Sequence, residues 1–376
     1  MNSTTCLLTS ALGYPEGGGQ LWVYLNWALA LRALGCKVIW LELVWHDCRV
    51  ETLRTNFLSL QKQLAQFQLA DGLALAFENG DPLPAEIASQ CLGLDAATKA
   101  DLLINLQYKA PAEILRQFRR TALIDIDPGL LQIWHTTGAV RFAPHNLYFS
   151  IGETVGQPGA RFPDCGVRWH YTPPPMFLPA WEPVKAAEGA AYTTTAHWWY
   201  GDMEWNGETF SNDKRSSFLE FLDLPAKTKA KLELALCLGK SEDEEKKLWE
   251  NHGWQVRRAW DVSSTAADYR NYIQQSRGEF SCAKPSCMRL QNAWISDRTL
   301  CYLASGKPAI VQHTGPSRFL PDAAGLFRFR TIEEATAALA AVEADYDKHS
   351  ALARHLAETH FDATKVVGRV LETALT

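Results

Sequence analysis

The sequence predicts an α/β protein built of two doubly wound domains facing each other across a cleft. Three observations predict it. Short apolar runs alternate with longer segments of helical period along nearly the whole chain, the pattern of parallel strands with crossover helices. The 376 residues exceed what one domain usually holds, and 47% of them are hydrophobic, enough for two real cores. Between the two halves the texture changes: Pro158, Pro163, Pro173, Pro174, Pro175, Pro179 and Pro183 crowd a stretch with few periodic apolar positions. Proline fixes the backbone, so this reads as a stiff linker. The expected division is an N-terminal domain over 1–157, a linker over 158–190, a C-terminal domain over 191–360 and a last helix over 361–376 that packs back on the first domain.

Each element has its own signal. Residues 5–10 (TCLLTS) read as the first strand, followed by a glycine-rich turn over 12–19 (LGYPEGGG). Residues 20–34 are apolar on nearly every face, as in a buried helix, and Gly35 stops it. Residues 37–43 (KVIWLEL) form a strand apolar on both faces, as a central parallel strand must be. Leu53, Phe57, Leu60, Leu64 and Phe67 recur at helical steps. Further strands fit 73–77, 102–105, 122–125 and 147–150. In the second half, strands are expected over 191–197, 231–238, 255–259, 278–281, 308–312 and 326–329. Ser241 and Glu244 have capping-box spacing for a helix ending at Gly253. A helix covers 265–275, Ser296 caps a helix that Gly306 ends, and Ala335, Leu339 and Val342 line another. Asp362 caps the last, whose apolar face holds Val366, Val367, Val370 and Leu371.

Composition excludes several classes. A formal charge of −5 lacks the basic footprint of a duplex nucleic-acid binder. The most apolar stretch, within 21–45, is broken by Asn26, Arg32, Gly35, Lys37 and Glu42, so no segment reads as a membrane span. No secretory signal is expected at the start. The nine cysteines are scattered without a CxxC pair, which implies reduced thiols and a cytoplasmic setting, not a disulfide framework or a zinc site. Arg116, Arg119 and Arg120, with Lys227, Lys229 and Lys231, read as solvated faces in preference to a membrane contact. Most of the 14 tryptophans read as core and interface filler; Trp169 and His170, or Trp198 and Trp199, are expected at the interdomain hinge.

The candidate chemistry lies where strands end, because open α/β sheets bind ligands at their carboxyl edges. Gly17, Gly18 and Gly19 sit between the first strand and first helix, where bare backbone approaches a ligand and helix N–H groups favour an anion. Neither GxGxxG nor GxxxxGK[ST] occurs, so a dinucleotide fingerprint and a P-loop are unsupported. In the segment 278–316, a strand delivers Lys284 and Arg289 and leads to the Ser296-capped helix; two cations and a helix N-terminus suit a diphosphate. Asp297 and Arg298 open that helix, and Asp297 is placed to accept from sugar hydroxyls. Thr195 ends the first strand of the second half, beside Thr194 and His197. Asp125 and Asp127 read D-x-D, yet Pro128 follows at once, which marks a strand end at a cleft mouth and not a metal pair. Asp127 is the first choice for an acceptor-side carboxylate, with His135, His145 and Glu153 next and Glu16 weaker. Asp127 also fits a turn residue, and each histidine an ordinary packed one.

Two runs carry a family resemblance. The run DRTLCYLASGKPAIVQHTGPSRFLPDAAGLFRFRTIEEATAAL resembles the donor half of glycosyltransferases of the B-type fold, the glycosyl transferase group 1 superfamily. In those a short helix leads to A-G-x-P-V-I, a glycine loop, G-L-L-F and a helix of E-E-A kind. The opening GYPEGGGQLWVYLNWALALRALGCKVIWLE resembles their first strand, glycine loop, long helix and second strand. The middle matches only by order of elements. The resemblance implies two Rossmann-like domains, the C-terminal one binding a nucleotide diphosphate sugar and the N-terminal one an acceptor. No cofactor is expected, and no metal is needed where lysine, arginine and the helix dipole stabilise the leaving diphosphate. One departure stands out. Many retaining members carry two Glu eight apart, and the matching positions here are Ala293 and Cys301. Asp297 is the substitute candidate, and retention or inversion stays open. Two alternatives also stay open: a nucleotide-sugar epimerase or hydrolase of the same fold, and a non-catalytic sugar-nucleotide or glycan-binding partner.

Overall fold

The structure is a computed structural model that describes residues 3–239 and 241–376. The chain divides into two units. The first runs to Pro158 and adds Phe162–Phe177 and Asp362–Thr376; the second comprises Gly159–Arg161 and Leu178–Phe361.

The first unit contains β1 (Thr4–Thr9), β2 (Lys37–Val44), β3 (Leu73–Phe77), β4 (Leu102–Asn105), β5 (Thr121–Asp125), β6 (Leu147–Ser150) and β7 (Trp169–Tyr171). All pair in parallel, in the order β3-β2-β1-β4-β5-β6-β7. Its helices are α1 (Gly18–Ala33), α2 (Val50–Ala65), the short α3 (Ala85–Ala88), α4 (Leu94–Ala97) and α5 (Ala112–Leu115), and α6 (Leu130–Thr137). The polar backbone of α1 is satisfied internally, so its side chains can be apolar all round; Trp22, Leu25, Trp27 and Leu31 are buried, and Gly35 ends it at φ 83°.

The second unit contains β8 (Tyr192–Ala196), a hairpin of β9 (Met203–Trp205) and β10 (Glu208–Phe210), then β11 (Leu232–Leu236), β12 (Gln255–Arg258), β13 (Gly278–Ser281), β14 (Ala309–Gln312) and β15 (Leu326–Phe329). Apart from the hairpin these form one parallel sheet, β12-β11-β8-β13-β14-β15. The helices are α7 (Lys214–Leu219), α8 (Asp243–Asn251), α9 (Trp260–Ser263), α10 (Ala266–Gln275), α11 (Pro285–Leu290), α12 (Asp297–Ala304), α13 (Ile332–Ala344) and α14 (Tyr346–Leu356). The last helix, α15 (Ala363–Leu375), belongs to the first unit, packs against α1, and is capped by Asp362 Oδ1 accepting from Thr364 N at 3.0 Å. Both sheets place their first strand in the interior, and the order in which successive strands are added switches to the other side of it, at β1/β4 and at β8/β13. Those switch points are where such folds open a ligand crevice.

Two expectations are corrected. The proline-rich stretch 158–190 is not all linker: β7 lies inside it as the edge strand of the first sheet. Trp169 is buried there, its Nε1 donating to Asp164 O at 2.8 Å and its ring edge-on to Phe142 and Tyr148. Aromatic burial outweighs the proline content, which only flanks the strand. The Ser241–Glu244 capping box is also absent. α8 starts at Asp243 behind an uncapping Glu242, whose carboxylate instead takes the Gly239 N–H. Asp243, Glu244 and Glu245 in its first turn complement the helix dipole. Glu245 turns inward to accept from Arg215, Trp198 and Trp249. Trp198 is therefore a core residue, packed on Phe218 and Trp249, while Trp199 is exposed.

Candidate functional site

In the second unit, the carboxyl ends of β13 and β14 and the N-terminus of α12 line one small pocket through Ser281, Ala283, Trp294, Ser296, Gln312 and Thr314. Hydrogen bonds to the main chain hold it. Ala283 N donates to Gln312 Oε1 at 2.8 Å, Ala293 N to Thr314 O at 3.1 Å, and Thr314 Oγ1 to Trp294 O at 2.5 Å. Gly315 is required here: its φ is 132° and an added Cβ would stand 2.8 Å from the Gln291 backbone. Gln291 (φ 52°) and Ala293 (φ 58°) are left-handed as well. The two non-glycine residues among them store backbone strain, which concentrates at ligand sites. Ser296 caps α12 as expected, its Oγ accepting from Arg298 N at 3.3 Å. Asp297 is half-buried in the first turn, and Cys301, one turn on, is buried with its Sγ on Asp297 O.

The cations at this edge are sorted by the structure. Lys284, half-buried, directs its ammonium over the Tyr200 ring at 4.1 Å. Arg289, expected beside it, is exposed and ion-paired with Glu208 of the hairpin. Arg298, also expected on the sugar donor, uses its guanidinium inside the unit: Nε to buried Glu279 at 2.7 Å, Nη1 to Thr195 O at 2.7 Å, Nη2 to Ser281 Oγ at 2.5 Å. It therefore fixes the ends of β8 and β13 relative to α12, and Thr195 contributes its carbonyl to that tie. Sequence reasoning missed Lys214. It is buried at the start of α7, donates to Cys282 O at 2.5 Å and lies 5.6 Å from the Trp294 ring centre. Burial, with Arg298 and Lys284 nearby, pushes it down to about 7. Its only sequence signal was position: the first cation after the hairpin, in SNDKR.

In the first unit, β5 delivers both aspartates and they part company. Asp125 is fully buried and accepts from Gln132 Nε2 (2.8 Å), Ser150 Oγ (2.7 Å) and Asp127 N (2.9 Å). Burial lifts it to about 7. Asp127 is half-buried two residues beyond the strand, where Tyr108 Oη donates to its Oδ2 at 3.0 Å and takes the Ile126 N–H at 2.9 Å. Gly152, in the loop after β6, lets that loop lie against the turn: a Cβ there would fall 2.3 Å from Pro128 Cβ. Glu153 follows it, buried and partnered.

The two histidines are elsewhere. His145 donates from Nδ1 to Ala143 O at 2.7 Å and accepts from Asn105 Nδ2 at 3.0 Å; burial drives it down to about 4. With both nitrogens engaged it is a packed histidine. His135, in the last turn of α6, stacks on Phe142 at 3.9 Å and accepts from its N–H. Gly17 is the N-cap of α1, and Gly18 and Gly19 are its first residues; no side chain caps those N–H groups. Glu16 is exposed. The turn between β1 and α1 is anchored by Glu42, also unforeseen, which is buried and accepts from Thr9, Trp40 Nε1 (2.8 Å), Ala11 N and Leu12 N.

Among the described residues no three His, Cys, Asp or Glu side chains are grouped to hold a metal, and no helix is long and apolar enough to cross a membrane. No protein-family model matches the chain, and no curated protein does. Solved structures do match over its whole length. An alpha-glucosyltransferase in complex with UDP and a 13-mer DNA containing a central A:G mismatch aligns with a TM-score of 0.61 at 12% identity, covering 100% of both chains. Anabaena HepE in complex with UDP and glucose gives 0.58 at 12%, covering 99% of each. AviGT4, a glycosyltransferase involved in avilamycin A biosynthesis, gives 0.57 at 12%, covering 99% of this chain and 97% of that one. The chain thus has the B-type glycosyltransferase fold, with two Rossmann-like units.

Proposed function

We propose that this chain transfers a sugar from a nucleoside diphosphate sugar, UDP being the nucleotide, to an acceptor held by the first unit. The observation that carries the reading is the position of three positive features by the pocket at the carboxyl end of β13: Lys214, tied to Cys282 O and near Trp294, both of which line it; Lys284, two residues past Cys282 and within electrostatic reach of Lys214; and the capped N-terminus of α12. Breaking the glycosidic bond builds charge on the leaving diphosphate, and fixed positive groups in a confined site stabilise it best. Lys214, near neutrality when the site is empty of anion, gains its proton firmly once a pyrophosphate arrives. These groups supply the neutralisation that a metal ion supplies in other designs, so transfer runs without one. Support for UDP comes from two structures of the same fold that hold it. Asp127 takes the acceptor proton or orients its hydroxyl.

Thermal denaturation with UDP, GDP, ADP and dTDP tests the first step, since a ligand of the folded state raises the melting temperature by mass action. UDP should give the largest rise, and Lys284→Ala and Lys214→Met should each reduce it. Full retention of the rise in both variants sinks the assignment. Transfer assays then take sugars, small alcohols and the DNA 13-mer type as acceptors. The acidic chain should leave the DNA unmodified.

A further inference from the structure

A second cavity, of about 320 Å³, opens at the amino ends of β8, β12 and β13, and its lining shares no residue with the pocket at the carboxyl ends of β13 and β14. Its floor runs across three strands: Gln255, Glu233 and Thr193 stand side by side in register on β12, β11 and β8. Register partners in a parallel sheet point to one face, and that face of a covered parallel sheet is normally apolar. Here it is polar, with Glu233 and Thr193 held by hydrogen bonds and Gln255 exposed beside them. Glu233, 6% exposed, accepts from Arg257 Nε at 2.9 Å and Tyr272 Oη at 2.8 Å. Thr193 Oγ1 meets Ser276 Oγ and Tyr302 Oη, each at 2.6 Å. The rim adds Asp261, Asp268, Asn271 and Gln275, all exposed.

This lining selects by chemistry. Few apolar side chains face the cavity, so a hydrophobic ligand gains little. Arg257 is already engaged by Glu233, and Asp261 and Asp268 leave the rim negative, so an anion is repelled. Carboxylates, amides and hydroxyls around one space, with Glu233, Thr193 and Ser276 held in place at its floor, offer acceptors and donors together, which is what a ring of neutral hydroxyls needs. The volume lies at the small end of ligand pockets, the size for one or two sugar rings. We propose that this cavity is a second saccharide site, binding a neutral hexose or short glycan independently of the sugar nucleotide.

Calorimetry and saturation-transfer NMR with D-glucose, D-galactose, maltose and glucose 6-phosphate test it on the full chain. At least one neutral sugar should bind, and glucose 6-phosphate should bind more weakly than glucose. Asn271→Trp, on the exposed face of α10, should plug the cavity and lower affinity by about tenfold or more, the effect of losing ~1.4 kcal/mol, while the UDP-induced melting shift is unchanged. Gln275→Ala should weaken binding in the same direction without adding bulk, which covers the case of a misfolded tryptophan variant. The proposal is overturned if no neutral sugar binds, if binding survives Asn271→Trp or Gln275→Ala undiminished, or if glucose 6-phosphate binds as well as glucose. Loss of UDP binding with sugar binding intact would defeat the sugar-donor reading and leave this one standing.

Discussion

Asp125 and Asp127 show how two identical side chains at one strand end acquire different chemistry. Asp125 is sealed under three donors and lifted to about 7, so it organises the turn; Asp127, held on one oxygen by Tyr108, leaves Oδ1 without a partner among the described residues. Asp127→Asn should keep UDP binding and lower transfer roughly 10²–10⁴-fold, the range for loss of a general base; unchanged turnover in a radiolabelled-sugar assay would dismiss it. His145 makes a pH prediction. Its folded proton affinity is depressed to about 4 against an ordinary 6.5, so above pH 6.5 both states are neutral. As pH falls from 6.5 to 4 the unfolded chain takes the proton first, and stability is lost through that window. Asp125 acts in the opposite sense, its contribution fading as pH rises from 3.8 towards 7. The stability advantage of the wild type over His145→Asn in urea titrations should therefore shrink on acidification, because Asp125 is common to both.

Elements place these residues by close backbone approach and by buried anchors. The loop after β6 lies on the Asp127 turn only because residue 152 has no side chain. Gly152→Ala forces backbone movement and should cost about 1–3 kcal/mol, as overpacking does, read as a lower urea midpoint; Asp127 should shift with it and transfer should fall. Glu42 plays the matching part for the turn into α1, and Arg298 for the entry to α12. Glu42 is buried under four donors and Arg298, largely enclosed, is paired with buried Glu279; removing one partner leaves a buried polar group unsatisfied, which is costly and so holds the loops in one place. Their signals in the sequence were faint. Glu42 was visible only as an acid inside an apolar strand, and Arg298 as one more cation at a helix start. The same limit hid Lys214 and misplaced Arg289: a sequence shows that a cation is near a strand end, whereas its partner, Cys282 O for one and Glu208 for the other, lies 68 or 81 residues away.

At the scale of the whole molecule, both parallel sheets begin in the interior and switch sides beside β1 and β8, and the fold is shared end to end with sugar-transferring proteins at 12% identity. Such divergence keeps the layer architecture while leaving the site to be argued from its own residues. One prediction belongs here. If Lys214, Lys284 and the α12 amides carry the charge of the leaving group, as proposed, transfer persists in excess EDTA; abolition of activity that added Mg²⁺ or Mn²⁺ restores would refute metal-independence.

What the sequence alone determined was the succession of strands and helices. The ends of β3, β4, β6, β13 and β15 coincide with their apolar runs, Ser296 and Asp362 cap the helices they were expected to cap, and Gly35 and Gly306 end theirs. Those features are local: period, cap and glycine act within a few residues, so they are written where they act. Only the tertiary structure decided that β7 joins the first sheet, that Arg289 and Arg298 are tied to Glu208 and Glu279, and that Lys214 stands at the end of β13. Each of these depends on which distant groups share a buried space, where desolvation and pairing set both position and charge, and no spacing along the chain encodes that.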